Sequence, residues 1–165
     1  MARFVGVDPG AKGSFCLLDT GNKHIEFQPT PTIDVTAAVL YDWILAEHEQ
    51  EPIQMIGVED VHAIFGTSAK SNFNFGFNVG QVRTIASMTN IGVDLVKPKE
   101  WQKSCGIPSL KAVKGATARK KVIAQVALRL YPGTALFGLR GGLIDGRADA
   151  LMIAHYMSIR YGGKA

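Results

Sequence analysis

Two short apolar runs in this chain each stop on a carboxylate. Val5-Gly6-Val7 leads into Asp8, and Ile56-Gly57-Val58 leads into Glu59. Runs this short and this rich in branched residues read as buried strands, and Pro9-Gly10 turns the chain at once after the first. If the two strands are parallel neighbours in a sheet, their carboxyl ends lie side by side and both acids face one point. Other readings stay open for each acid alone. Asp8 before Pro-Gly is a turn former, and Glu59-Asp60 is an ordinary strand exit.

A third acidic source is the stretch Ile144-Asp145-Gly146-Arg147-Ala148-Asp149-Ala150. Asp145 and Asp149 are four apart, so on a helix they share a face. Asp145 also suits a helix cap. Asp149 sits between Ala148 and Ala150-Leu151 on an apolar face, where an acid with no counter-charge is unfavourable. Carboxylates packed together raise one another's pKa. A hard divalent ion with oxygen ligands removes that cost, and Mg²⁺ or Mn²⁺ suits such a site. Two such ions roughly 3.5–4 Å apart can activate a water and stabilise the leaving oxygen of a phosphodiester. Asp8, Glu59, Asp145 and Asp149 are the candidate metal ligands and catalytic acids.

The rest of the chain supplies a frame for this convergence. Residues 3–7, 14–18 and 23–27 read as a meander of three antiparallel strands, closed by Pro29 and Pro31. Asp34 can cap a helix over 35–49, with Val39, Trp43 and Ala46 facing inward. Residues 54–58 and 92–96 read as further strands. Helices are predicted over 78–89, 115–130 and 146–161, with a short helical turn after Pro98. In the 115–130 helix, Val122, Val126, Leu128 and Leu130 are the core candidates. The order β-β-β-α-β-α-β-α-α suits an α/β fold with a mixed five-stranded sheet and helices on both faces. At 165 residues, one domain over 1–165 is expected. No apolar run approaches the roughly 20 residues of a membrane span. The start is interrupted too early by Asp8 to read as a secretory signal. Cys16 and Cys105 form neither a metal spacing nor a disulfide framework, so a reducing, cytoplasmic setting is expected.

Charge is distributed unevenly. Residues 1–60 carry three Lys/Arg against ten Asp/Glu, whereas 97–121 carry eight Lys/Arg against Glu100 alone. Such a basic block is either a solvated face or a polyanion site. Lys97, Lys99, Lys103, Lys111, Lys114, Arg119, Lys120 and Lys121 can neutralise phosphates. Gly115 before a helix start adds an anion-friendly N-terminus. Lys120 or Lys121 is a candidate neighbour of the scissile phosphate, Lys121 being assigned to the catalytic set. In Ser71-Asn72-Phe73-Asn74-Phe75-Gly76-Phe77, aromatic residues alternate with polar ones. That pattern is either a strand-like segment with one face in the core or a mobile loop whose rings stack on unpaired bases. Phe73 and Phe75 are the candidate DNA contacts. His62 follows the second acid closely, and Lys12 is at most a backbone contact to DNA.

These features together resemble a RuvC-type Holliday junction resolvase of the ribonuclease H-like superfamily. Gly6-Val7-Asp8-Pro9-Gly10 is similar to the family's first strand and first catalytic aspartate, and Val58-Glu59 to its second acid. Gly80-Gln81-Val82-Arg83 resembles its G-Q-A-R helix, and Val96-Lys97 the stretch before its basic loop. Residues 114–121 resemble a glycine-and-lysine helix start, and Ala148-Asp149-Ala150-Leu151 the A-D-A-L of the final helix. The resemblance implies a ribonuclease H-like domain that acts as a homodimer on four-way DNA junctions. It implies paired symmetric nicks, two Mg²⁺ or Mn²⁺ ions per active site, and no small-molecule cofactor. One departure stands out. The bacterial family usually spaces its last two metal-site residues three apart, but Gly146 occupies that place here and Asp145 lies four before Asp149. This points to a phage or otherwise outlying member, working in a bacterial or phage-infected cytoplasm. Two other readings remain. One is a different ribonuclease H-like nuclease, acting on RNA–DNA hybrid or other branched DNA. The other is a junction-binding protein with an inactive site. An actin-like ATPase needs two such domains, for which 165 residues leave no room.

Overall fold

The computed structural model describes residues 2–30, 37–60, 68–144 and 146–163. Asp34, His62 and Asp145 lie outside the described residues. The elements are β1 (Arg3–Asp8), β2 (Ser14–Asp19), β3 (Ile25–Pro29), α1 (Ala37–Gln50), β4 (Ile53–Glu59), α2 (Ala69–Thr89), β5 (Val93–Val96), α3 (Pro98–Ser104), a 3-10 turn Leu110–Ala112, α4 (Ala116–Leu130) and α5 (Arg147–Tyr161). The strands form one sheet in the order β3-β2-β1-β4-β5. β1 pairs antiparallel with β2 and parallel with β4, and β4 pairs parallel with β5. The expected mixed sheet is therefore present, with the two acid-ended strands adjacent at its centre.

Period-two alternation splits the sheet into two faces. Val5, Val7, Phe15, Leu17, Ile56 and Val58 pack with Leu40 and Ile44 of α1 and Val82 and Ile85 of α2. Phe4, Cys16 and Leu18 turn to the other face, against Trp101 of α3, Ile123 and Ala127 of α4 and the apolar length of α5. Gly6 lies on this second face, directly beside Gly57 in the parallel register. A Cβ on Gly6 would stand 2.0 Å from the Ala150 carbonyl oxygen, and one on Gly57 would stand 2.7 Å from Met157. The two glycines make a trough across β1 and β4, and α5 lies in it, its backbone against Gly6 and its Met157 and Ile153 side chains against Gly57. At its far end α5 is tied down at β5. The Tyr161 hydroxyl donates to Asp94 at 2.9 Å, and Arg160 pairs with the same carboxylate at 3.2 Å.

Three expectations about side-chain faces need correction. In α1 the inward residues are Leu40 and Ile44, whereas Val39 is 58% exposed and Ala46 is also exposed. Trp43 does pack against this core, half-buried, and its indole N–H donates to Glu26 at 2.7 Å. In α4 the buried set is Ile123, Ala124, Val126 and Ala127; Val122, Leu128 and Leu130 are half-buried.

The third correction concerns 71–77, which is neither strand nor loop. Ser68 caps a helix that begins at Ala69, its hydroxyl accepting from the Ser71 N–H at 3.2 Å. The alternating phenylalanines therefore occupy the first turns of α2. On a helix Phe73 and Phe77 share a face and Phe75 points away from them.

Candidate active site

Asp8 ends β1 on the α5 face, two residues beyond Gly6. The turn that follows it is fixed on several sides. The Gly10 N–H donates to Asp8 Oδ1 at 2.9 Å, and the Thr30 hydroxyl donates to the Asp8 carbonyl at 3.0 Å. The side-chain amide of Asn78, buried in α2, donates to the Pro9 carbonyl at 2.8 Å. Gly13 closes the turn onto Gly10 with a 2.8 Å hydrogen bond. Side chain and backbone of Asp8 are thus held before any ligand arrives.

Glu59 ends β4 in the same way, two residues beyond Gly57 and on the same face. The indole N–H of Trp101 donates to Glu59 Oε1 at 3.2 Å. Trp101 is wholly buried, so it fixes the carboxylate from a rigid base. Burial pushes the Glu59 carboxyl up from an ordinary 4.5 to about 8, and the charges of Asp8 and Asp149 push in the same direction. Only the Trp101 hydrogen bond opposes them. The three acids from distant parts of the chain therefore act on one another.

Asp149 belongs to the first turn of α5, and the Gly6–Gly57 trough brings that turn over the ends of β1 and β4. Gly146 caps the helix in the left-handed region, with φ of 76°. A Cβ there would lie 2.7 Å from the Gly13 backbone and 2.8 Å from the Ser14 nitrogen. The β1–β2 turn occupies the space that a side chain at 146 would need.

A groove of about 700 Å³ opens beside Glu59 and Asp149. Lys99, Lys103, Lys111, Arg119 and Lys120 line it, with Trp101 and Ile123 behind. Five of the eight candidate cations thus border the groove that holds two of the acids. Lys97, Lys114 and Lys121 are exposed and do not line it. Lys120 also lines a small recess with Asp149 and Gly146, so Lys120, and not Lys121, stands at the acids. Arg119 donates to the Val113 carbonyl at 2.9 Å, which fastens the loop before α4. Phe73 is 66% exposed and stacks on Phe77, their ring centroids 6.2 Å apart. Phe75 instead leans over the Asp8 turn, its ring tip 3.8 Å from where a Gly10 Cβ would be.

Sequence reasoning passed over Phe77, Asn78 and Trp101. The spacing of four between Phe73 and Phe77 carried the first once the segment was taken as a helix. The other two are tertiary contacts with no local signal.

The donor chemistry fits a hard divalent cation. The acids supply hard oxygen donors, and the rise at Glu59 comes first from burial and then from the charges of Asp8 and Asp149. Among the described residues they do not close into a ready-made metal cluster.

A central parallel pair ending in acids, a three-strand meander on one side and a last helix bringing a third acid across them define a ribonuclease H-like fold. Solved structures agree. The structure entitled Thermus thermophilus RuvC matches with a TM-score of 0.65 and 17% identity, over 97% of this chain and 96% of its own. That of T. thermophilus RuvC in complex with a Holliday junction substrate matches with a TM-score of 0.63 and 16% identity, over 98% and 97%. No family model and no curated protein sequence matches the chain.

Proposed function

We propose that this chain is a metal-dependent endonuclease that resolves four-way DNA junctions. The observation that carries the reading is the gathering of acids from β1, β4 and α5, with Glu59 raised first by burial and then by the charges of Asp8 and Asp149, beside a groove that Glu59 and Asp149 line together with five cations. A phosphodiester backbone matches both halves: its charge suits the groove, and its hydrolysis suits the acids. The shared fold with a RuvC that was solved on a Holliday junction supports the choice of branched DNA.

Asp8, Glu59 and Asp149, with Asp145, would hold Mg²⁺ or Mn²⁺. The ions supply an activated water and charge stabilisation at the leaving oxygen. The protein's own part is positioning. Trp101 and the Gly10 N–H fix two carboxylates, and Lys120 brings positive charge to the phosphate. The groove lysines hold the strand, and the stacked Phe73 and Phe77 offer rings to unpaired bases. Symmetric nicking of two strands calls for a homodimer. Among the described residues no helix is long and apolar enough to cross a membrane.

The test is cleavage of a synthetic four-way junction, a linear duplex and an RNA–DNA hybrid in Mg²⁺ or Mn²⁺. Wild type should cut the junction in preference, at paired positions. Asp8→Asn and Glu59→Gln should bind it and not cut. Variants that cut as well as wild type would remove the catalytic assignment, and preference for the hybrid would redirect it.

A further inference from the structure

Residues 136–144 form a small hairpin immediately before α5. Phe137 bridges Leu143, the Gly138 N–H donates to the Gly142 carbonyl at 2.9 Å, and the Ile144 N–H donates to Leu136 at 2.9 Å. The tip is a tight turn, closed by the Gly141 N–H on the Gly138 carbonyl at 2.9 Å, with Gly141 at φ of 74°. The foot is anchored by wholly buried Leu136 and by Arg147, whose guanidinium donates to the Ala135 carbonyl at 2.7 Å. On this fixed support Leu139 stands fully in solvent, at 110% of its reference exposure, next to exposed Arg140. Phe137 below it is 44% exposed.

Isolated exposed leucines are common. This one is held out on a braced arm, and the arm rises from the acid site. Leu143 and Ile144, at the foot, line the recess that contains Asp149 and Lys120. On its other side Ile144 lines a cleft of about 440 Å³ together with Lys12, Gly13, Thr30 and Arg147. The whole stretch 131–144 carries Arg140 and no acid. An apolar tip with basic neighbours and no nearby acid of its own suits a nucleic acid, whose bases accept apolar wedges while its phosphates take the cations.

We propose that Leu139 is a base-contacting wedge. It inserts at a step close to the cleaved bond and so fixes where the strand is cut, while Arg140 and Lys12 hold the phosphates on that side. This rests on the DNA-cleaving reading above. Ile144 is hydrogen-bonded to Leu136 at the foot, so Leu139 stands three residues up the arm; at about 3.3 Å per residue that is roughly 10 Å, and the step lies within about three nucleotides of the cut.

The experiment uses four-way junctions with 2-aminopurine placed in turn at each position flanking the cut, bound in EDTA. Cut positions are then mapped in Mg²⁺. Wild type should raise the fluorescence at one step within that distance. Leu139→Ala should abolish that rise, leave any rise at the crossover itself, and spread the cuts over neighbouring bonds. Leu139→Met should restore the rise and the single cut, whereas Leu139→Lys should not. Equal fluorescence and equal cut positions in wild type and Leu139→Ala would overturn the proposal. So would a Leu139→Ala effect confined to oligomeric state in sedimentation, which would make the tip a contact between copies. A wild type that shows the Leu139-dependent rise but never cuts would sink the nuclease reading and leave the wedge standing. One that binds no junction would sink both.

Discussion

Replacing Gly146 by alanine should lower the stability of this chain far more than a glycine-to-alanine change at a helix cap usually does. Two costs combine. The left-handed backbone, φ of 76°, costs a residue with a Cβ about 1–2 kcal/mol. The new methyl would also stand 2.7 Å from the Gly13 backbone, and neither side can yield easily. Gly13 is itself pressed against Asp8, since a Cβ on it would be 2.0 Å from that carbonyl, and α5 cannot retreat from the Gly6 trough without losing its packing. Overpacking of this kind costs about 1–3 kcal/mol. The sum is about 2–5 kcal/mol, which in a domain of this size lowers the melting temperature by roughly 4–20 °C. Urea and thermal denaturation would measure it against two internal controls. Gly141 shares the positive φ, at 74°, but faces open space, so Gly141→Ala isolates the conformational cost. Gly142 has neither feature, and Gly142→Ala should change little. If Gly146→Ala costs no more than Gly141→Ala, the close-approach account of position 146 is wrong. Gly146→Asp should be destabilised at least as much and should not rescue an Asp145→Asn variant.

Two further outcomes follow from the electrostatics. Because the Glu59 carboxyl is raised to about 8 when folded, the native state holds that proton after the unfolded chain has released it. Its contribution is fully present below about pH 4.5 and is lost as pH rises towards and through 8. In EDTA, wild type should therefore lose about 2–3 kcal/mol relative to Glu59→Gln between pH 5 and pH 9, a discount for water at the groove from the roughly 5 kcal/mol that the full shift implies. Magnesium at about a hundredfold excess over its dissociation constant should return about 2.7 kcal/mol to wild type, and parallel melting curves for the two proteins would refute this. For the basic block, Lys120→Ala should slow junction cleavage by roughly a hundredfold, whereas Lys121→Ala should only weaken binding and flatten its salt dependence; equal effects would remove the distinction drawn between them.

The centre of the fold and two of its acids were legible because strands alternate strictly. Asp8 and Glu59 each stand two residues after a glycine, so each shares that glycine's face; the trough that the two glycines make showed only in the structure. Helical faces were less legible. α1 carries apolar residues almost all round, and only the position of the sheet decides that Leu40 and Ile44 go inward. The Phe73–Phe77 stretch imitates a strand because its aromatics alternate, and the Ser68 cap that makes it helical lies outside the alternating run. Trp101 and Asn78 are invisible as site residues in one dimension. Each reaches a partner more than forty positions away, and nothing local announces it.

The trough also bears on where an acid can stand at the start of α5. What fixes a carboxylate over β1 and β4 is the axis of α5, which Gly6 sets by letting backbone meet backbone and Gly57 by making room for Met157. Once the helix lies there, its first turn delivers a side chain to Glu59 from position 149. The cap at 146 is driven into the β1–β2 turn instead. A side chain at 146 is thus excluded by how tightly the helix start is seated on Gly13. Loosening that seat, by lengthening the β1–β2 turn by one residue, should make an acid at 146 tolerable. If Gly146→Asp remained as unstable in that background as in wild type, the seat would not be what excludes it.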